Sequence, residues 1–361
     1  MEMKLSRPLL AAGVIGFAVL AGPAQSLACT ATGFVRDSIN LTAALVNPAN
    51  VVRGDVDATG CNIGIYYSSG NHGRVDGANV HGANYFGIVN DGASVDIRNS
   101  NISDIGEKPF NGTQHGVAIY FAFGSNARGD ITNNTVWSYQ KGGITVNGPN
   151  ARSNIRNNTV IGLGPVNFIA QNGIQVGYGA NVNVTNNFVS GNSYTGAGLT
   201  ASGGILLVGG DCYGGEPTTN VNVTNNDTIN NDVGIWLSNL DASCVAVATP
   251  TTNSVFGNSV ASNAVNNTTG NGPTQGYQAG IADQGDRDSI VNNDVCGSGY
   301  QPPGTASAAL FSVDLTATNN PTAFHNTTCQ DHGWWWWPNA AMAAKSSLAR
   351  IGHRNAPSPH K

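Results

Sequence analysis

Charge is scarce in this chain: Asp, Glu, Lys and Arg together make up 10% of its 361 residues. A surface so poor in Lys and Arg lacks the electrostatic footprint of a nucleic-acid binder. The sign of the balance points the same way. Without a leader carrying Glu2, Lys4 and Arg7, 14 basic groups face 20 acidic ones, and Lys345, Arg350, Arg354 and Lys361 all sit in the last stretch. Methionine is nearly missing, with only Met342 beyond the leader, and His325, His332, His353 and His360 lie toward the C-terminus. A copper or zinc centre is therefore not expected. No CxxC occurs, no long apolar run follows the leader, and no ten-residue stretch outside leader and tail keeps a 3.6-residue apolar period. Metal knuckles, a membrane partner for the exported chain and more than a trace of helix are thereby disfavoured.

The leader occupies residues 1–28. Lys4 and Arg7 precede an apolar run from Pro8 to Gly22, and Ser26-Leu27-Ala28 offers a small-residue cleavage point. These are the features of a secretory signal peptide, so the protein is expected to be secreted. Cys29 follows at once and raises lipoprotein processing, but Ser26 stands where an aliphatic residue would be expected. Six cysteines, an even number in an exported chain, favour disulfides. The spacings Cys29 to Cys61, Cys212 to Cys244 and Cys296 to Cys329 are 32, 32 and 33 residues. Each is about one repeat length, which predicts pairing within each couple.

The repeat itself is most plainly stated between Gly143 and Asn187. A Gly-Ile-x-Val phrase is followed by a Gly/Asn/Pro turn and an alternating run ending in Asn-Asn. The phrase recurs at Gly64, Gly87, Gly116, Gly143, Gly173, Gly204, Gly234 and Gly280, with gaps of 23, 29, 27, 30, 31, 30 and 46 residues. A period in this range means stacked coils. Alternating Ile and Val give short strands with one face inward, and stacked coils pair them in parallel. Asn tolerates left-handed turns, and its amide can bond along a stack. The Asn column is therefore read as a structural ladder ahead of a saccharide site. Four units are predicted: signal peptide 1–28, N-terminal cap 29–53, solenoid 54–329, and an aromatic cap with basic tail over 330–361. In the last, Trp334 to Trp337 are read as cover for the open end, with a sugar platform as the rival reading.

The Gly-Ile-x-Val strands and Val-x-Asn-Asn ends resemble the right-handed parallel β-helix superfamily, which includes pectate lyases, polygalacturonases and mannuronan epimerases. The resemblance covers roughly residues 54 to 329 and implies an all-β fold: one right-handed parallel β-helix, capped at both ends. It does not extend to a catalytic signature. Gly-Asp-Asp, Asp-Pro-His-Asp and Arg-x-Pro-x-x-Arg are all missing, and His115-Gly116 is only a fragment of one motif.

Three groups of residues could carry chemistry. Asp283, Asp286 and Asp288, with Arg287 among them, form an oxygen-rich loop suited to calcium. Asp283 and Asp286 are also candidate catalytic carboxylates, although an ordinary Asp/Gly turn would look the same. The stretch from Asp104 through Glu107 and Lys108 to Gln114 and His115 offers carboxylate, amine and imidazole, making His115 an acid/base candidate. The third group is a column two residues before each signature glycine: Gln114, Lys141, Gln171, Ser202, Asp232 and Gln278. On an unbroken strand these residues and the glycines face outward, giving polar ends beside a bare floor. Gln114, Gln171 and Gln278, with Tyr194 and Trp236 nearby, are then saccharide-binding candidates and Lys141 a catalytic one. A solvated sheet face explains the column about as well.

Together these features lead to the expectation of a secreted β-helix protein that binds, and in the stronger version cleaves, a polysaccharide along a surface groove. The alternative is a non-catalytic carbohydrate-binding or structural surface protein. Calcium is the one cofactor the residues suggest, the partner is a polysaccharide or oligosaccharide, and the expected state is a monomer.

Overall fold

The computed structural model describes residues 28–196, 200–264, 277–300 and 309–329. The leader, the run Trp334 to Trp337 and the basic tail fall outside them.

Alternation of small β-branched residues with turn residues gives strands too short to close a core alone, so each turn of chain buries its inner face on the next. Strands recur in threes around each coil. The Gly-Ile-x-Val strands stack into one eleven-stranded sheet, here the first face, among the described residues. Eighteen further strands wrap the second and third faces. These two faces are continuous because His72–His81 turns the corner, pairing in parallel with both Ser94–Arg98 and Asn101–Ile105. Among the described residues the exception to parallel pairing between strands is the opening hairpin, where Thr30–Arg36 runs antiparallel to Ile39–Val46. Ile39–Val46 already pairs in parallel with Ile63–Ser68, so stacking begins ahead of Gly54. The single helical turn among the described residues is Asp211–Tyr213.

Inside, one isoleucine sits on the next through eight coils: Ile65, Ile88, Ile119, Ile144, Ile174, Ile205, Ile235 and Ile281. All eight are 0% exposed, each worth about 1.5–3 kcal/mol in transfer from water. The asparagine column is structural, as its turn chemistry implied. In most Asn-Asn pairs the first residue takes a left-handed φ, for example Asn133, Asn157, Asn186 and Asn225 at 54–57°. The second turns inward. Asn134, Asn158, Asn187, Asn226 and Asn293, together with Asn258 after Gly257 and Asn326 after His325, form an unbroken chain in which each Nδ2 donates to the Oδ1 of the next coil at 2.9–3.0 Å. Each amide also donates to a backbone carbonyl, as Asn187 does to Ile155 at 2.9 Å. Buried polar groups at the corner are satisfied in this way.

The first face corrects one expectation. The signature glycines point inward: a Cβ on Gly143 would lie 2.5 Å from Val160 Cγ1, on Gly173 2.4 Å from Val189 Cγ1, and on Gly280 2.2 Å from Val295 Cγ1. The chain bends into the core there, so the strand phase does not run unbroken through the glycine. Residues two positions earlier follow it inward. Gln171, Ser202, Asp232 and Gln278 are 0–1% exposed and form no outward column. The phase also slips at Gly116, because the register sets Ala118, not Gly116, beside Gly143. Gln114 therefore never shared a column with Gln171.

Two predicted disulfides are present, Cys29–Cys61 and Cys212–Cys244, with Cα atoms 5.5 and 5.1 Å apart. For the third, the register sets Cys296 opposite Cys329, whose side chain lies outside the described ones.

Candidate functional site

Strands on the second face show the expected alternation, exposed and buried by turns in Arg152–Arg156 and Asn181–Thr185. First-face strands do not: Gly142–Asn147 is buried at every position. Something covers that face from outside. At the N-terminal end the cover is the opening hairpin. Phe34 packs on Tyr66 and Phe86, ring centroids 5.9 and 6.2 Å away, and Arg36 donates to Tyr120 Oη at 3.0 Å. Arg36 pairs with Ile39, and the two residues between, Asp37 and Ser38, have φ of 50° and 63°. Two successive positive φ values make the tight hairpin turn that matches strand twist, and that turn holds Asp37 toward the sheet.

Beside the hairpin lies a cleft of about 290 Å³. Arg36 and Asp37 line it from the hairpin, Gln114, His115 and Lys141 from the corner before the first face, and Thr145, Asn147, Asn172 and Gln175 from its strands. Tyr85, Phe86, Val117, Tyr120 and Gly142 complete the lining. The bare glycine floor foreseen in the sequence is not formed here, since Gly142 stands between Val117 and Asn172 in this register.

His115 is 8% exposed. Its Nε2 is 2.7 Å from Glu107 Oε1, its Nδ1 is 3.8 Å from Asp37 Oδ2, and its ring stacks on Tyr85 at 3.8 Å. Burial raises the Tyr85 phenol, and the charges of Asp37 and Glu107 add to the shift. Lys141 donates from Nζ to Ala170 O at 2.9 Å, and burial pushes its ammonium down to about 8. Among the described residues neither Lys141 nor Arg36 has a carboxylate within 4.0 Å. Across the floor, Asn172 Nδ2 donates to Gln175 Oε1 and Gln175 Nε2 to Asn147 Oδ1, both at 3.2 Å. Each amide keeps spare hydrogen-bonding capacity for a ligand.

A buried glutamine fixes the corner that carries Glu107 and His115. Gln140, 0% exposed, accepts from the backbone N–H groups of Glu107 and Asn111 and donates to Thr113 O. Gln171 does the same one coil on, accepting from Leu163 N and donating to Tyr139 O, and Gln278 donates to Ala264 O. These glutamines hold the backbone of irregular corners, and Gln171 and Gln278, at 0% and 1% exposed, do not face the surface.

Of the residues singled out from sequence, Gln114, His115 and Lys141 come together in this cleft. Tyr194 sits at the end of Phe188–Tyr194 on the third face, away from it. Trp236 lies on the first face three strands beyond Thr145, in the same outward register. In the aspartate loop, as elsewhere among the described residues, no three His, Cys, Asp or Glu side chains converge on a metal-sized site. Asp283 accepts from Thr318 Oγ1 and Gly285 N, Asp288 from Thr251 Oγ1 and Asn253 N, and Asp286 from Asn320. All three are at most 2% exposed, and these bonds tie the corner together. Burial raises Asp283, and burial with the Asp283 charge pushes Asp288 up to about 8. Sequence reasoning missed Arg36, Asp37, Tyr85, Tyr120, Asn172 and Gln175. Only the outward phase of Tyr85 and Tyr120 hinted at a covered face.

A family model for the right handed beta helix region matches residues 45–213. The fold is a right-handed parallel β-helix. Among solved structures, this β-helix is similar to the A-module of mannuronan C-5 epimerase AlgE6 from Azotobacter vinelandii. Identity is 15% and the TM-score 0.40, over 75% of this chain and 69% of that one. A likeness at that score carries no argument about activity. No curated protein matches the sequence.

Proposed function

We propose that the first-face cleft binds a uronate-containing polysaccharide and abstracts the proton α to its carboxylate. The observation that supports this reading is the pair Arg36 and Lys141, two basic side chains in one cleft with no carboxylate within 4.0 Å among the described residues. Arg36 neutralises the sugar carboxylate, which acidifies the adjacent C–H bond. Lys141, with its ammonium lowered to about 8, is neutral often enough near that pH to take the proton. His115, held by Glu107, stands ready to protonate the departing glycosidic oxygen if the C–O bond breaks. Hydrolysis by two carboxylates is less well served, since it needs them apart across the bond, whereas Asp37 and Glu107 both approach one imidazole.

Incubation with a panel of polyuronates in deuterated water, with and without calcium, tests the reading. The expected result is deuterium at the α carbon or an unsaturated product, reduced at least about hundredfold by Lys141→Met. Absence of both signals across the panel, or full activity in Lys141→Met, would sink it. The amide chain Asn172–Gln175–Asn147 also suits a protein that only binds sugar. Oligosaccharide binding without either signal would select that second reading.

A further inference from the structure

The first face carries a second feature that the cleft does not use. Beyond Gln175 the outward register continues through Leu206, Trp236, Ala282 and Asp314. Around Trp236 the surface becomes apolar, with Val233, Ala279 and Ala282 buried beneath Trp236, Tyr277 and Phe311, which are only partly covered. The three rings form a row, Trp236 to Tyr277 at 6.1 Å and Tyr277 to Phe311 at 5.9 Å between centroids. Their polar edges are pinned. Trp236 Nε1 donates to Gln284 Oε1 at 3.0 Å, Ser238 shares that acceptor, and Tyr277 Oη donates to Asp314 at 2.6 Å.

We infer that Trp236, Tyr277 and Phe311 form a stacking platform for pyranose rings, so that the ligand is a polymer lying along the helix axis from the cleft across these rings. This rests on the saccharide reading of the cleft. A pyranose presents an apolar face of C–H bonds and a polar rim, and half-covered rings with fixed polar edges complement both. Continuity with the cleft argues for this occupant, because one register links Gln175 to Trp236 with only Leu206 between. From the strand Gly142–Asn147 to the strand Ala309–Asp314 there are five strand steps. At about 4.8 Å each they span roughly 24 Å, about one hexose per coil. A short oligosaccharide fills the cleft alone, and a longer one reaches the rings.

The test is calorimetric titration of the full chain with uronate disaccharide, tetrasaccharide and hexasaccharide. Affinity is expected to rise about tenfold or more from disaccharide to hexasaccharide. Trp236→Leu, which keeps apolar volume over Ala279, is expected to remove that gain and leave disaccharide affinity unchanged. Phe311→Leu serves as an independent second variant, and Phe256→Leu on the second face as the control. Equal affinities for all lengths, or a length gain that survives both platform variants, overturns the platform while the cleft reading stands. No binding at any length overturns both. Hexasaccharide affinity unaffected by Trp236→Leu, together with a change in the chain's sedimentation, assigns the rings to self-association and also overturns the platform.

Discussion

At the residue scale, burial moves both Lys141 and Asp288 away from their ordinary ranges, with opposite consequences. Lys141 loses stability as a cation, which favours the free amine. Turnover of a polyuronate is expected to rise with pH through about 8 and then level, as the amine fraction saturates. A pH–rate profile checks this, and Lys141→Arg, always charged, should show no such rise. Asp288 is held as the acid by burial and by Asp283, raising it to about 8. A raised folded value means its contribution is fully present below the unfolded value near 4 and is lost as pH rises toward 8. The melting temperature should therefore fall across that window, and Asp288→Asn should flatten the slope. A melting series in matched ionic strength decides it.

At the element scale, a strand on the second face is specified by simple alternation, whereas a first-face strand is specified by its neighbours above, below and outside. Gly173 is set by the facing strand rather than by a turn. A methyl group there would lie 2.4 Å from Val189 Cγ1 and 2.7 Å from Gly204 O. Gly173→Ala is expected to cost about 1–3 kcal/mol through overpacking, measured by chemical denaturation. The two asparagine rows give a matched comparison. Asn187 is buried and serves both neighbouring coils, accepting from Asn158 and donating to Asn226 and Ile155 O. Asn183, on the exposed second face, bonds Asn154 and Asn222 in a similar chain. Asn187→Ala should cost about 1–3 kcal/mol because it strands buried partners, while Asn183→Ala should stay within about 0.5 kcal/mol.

At the scale of the whole molecule, the opening hairpin completes the cleft and the Cys29–Cys61 bond ties it to the first coils. Closing a loop of 32 residues contributes roughly 3–4 kcal/mol by chain entropy. Cys29→Ser with Cys61→Ser is expected to lower the melting temperature and weaken saccharide binding at least several-fold, because Arg36 and Asp37 lose their anchor. A variant that binds as tightly as the parent chain would separate the hairpin from the site. The sequence by itself determined the coil. Ile-x-Val alternation, Asn-Asn corners and cysteines one repeat apart are local patterns with local physical causes; the strands and corners form the coil, and two of the three cysteine couples are bonded as expected. It also marked His115, Lys141 and Gln114, whose corner is rich in functional groups. Which residues faced outward on the first face was decided only by tertiary structure. The inward bend at Gly143, Gly173 and Gly280 exists because the third-face valines leave room for no side chain there. That packing carries Gln171 and Gln278 inside. The meeting of Arg36 and Asp37 with His115 was likewise beyond a linear reading, since it depends on a hairpin folding back over coils that follow it in the chain.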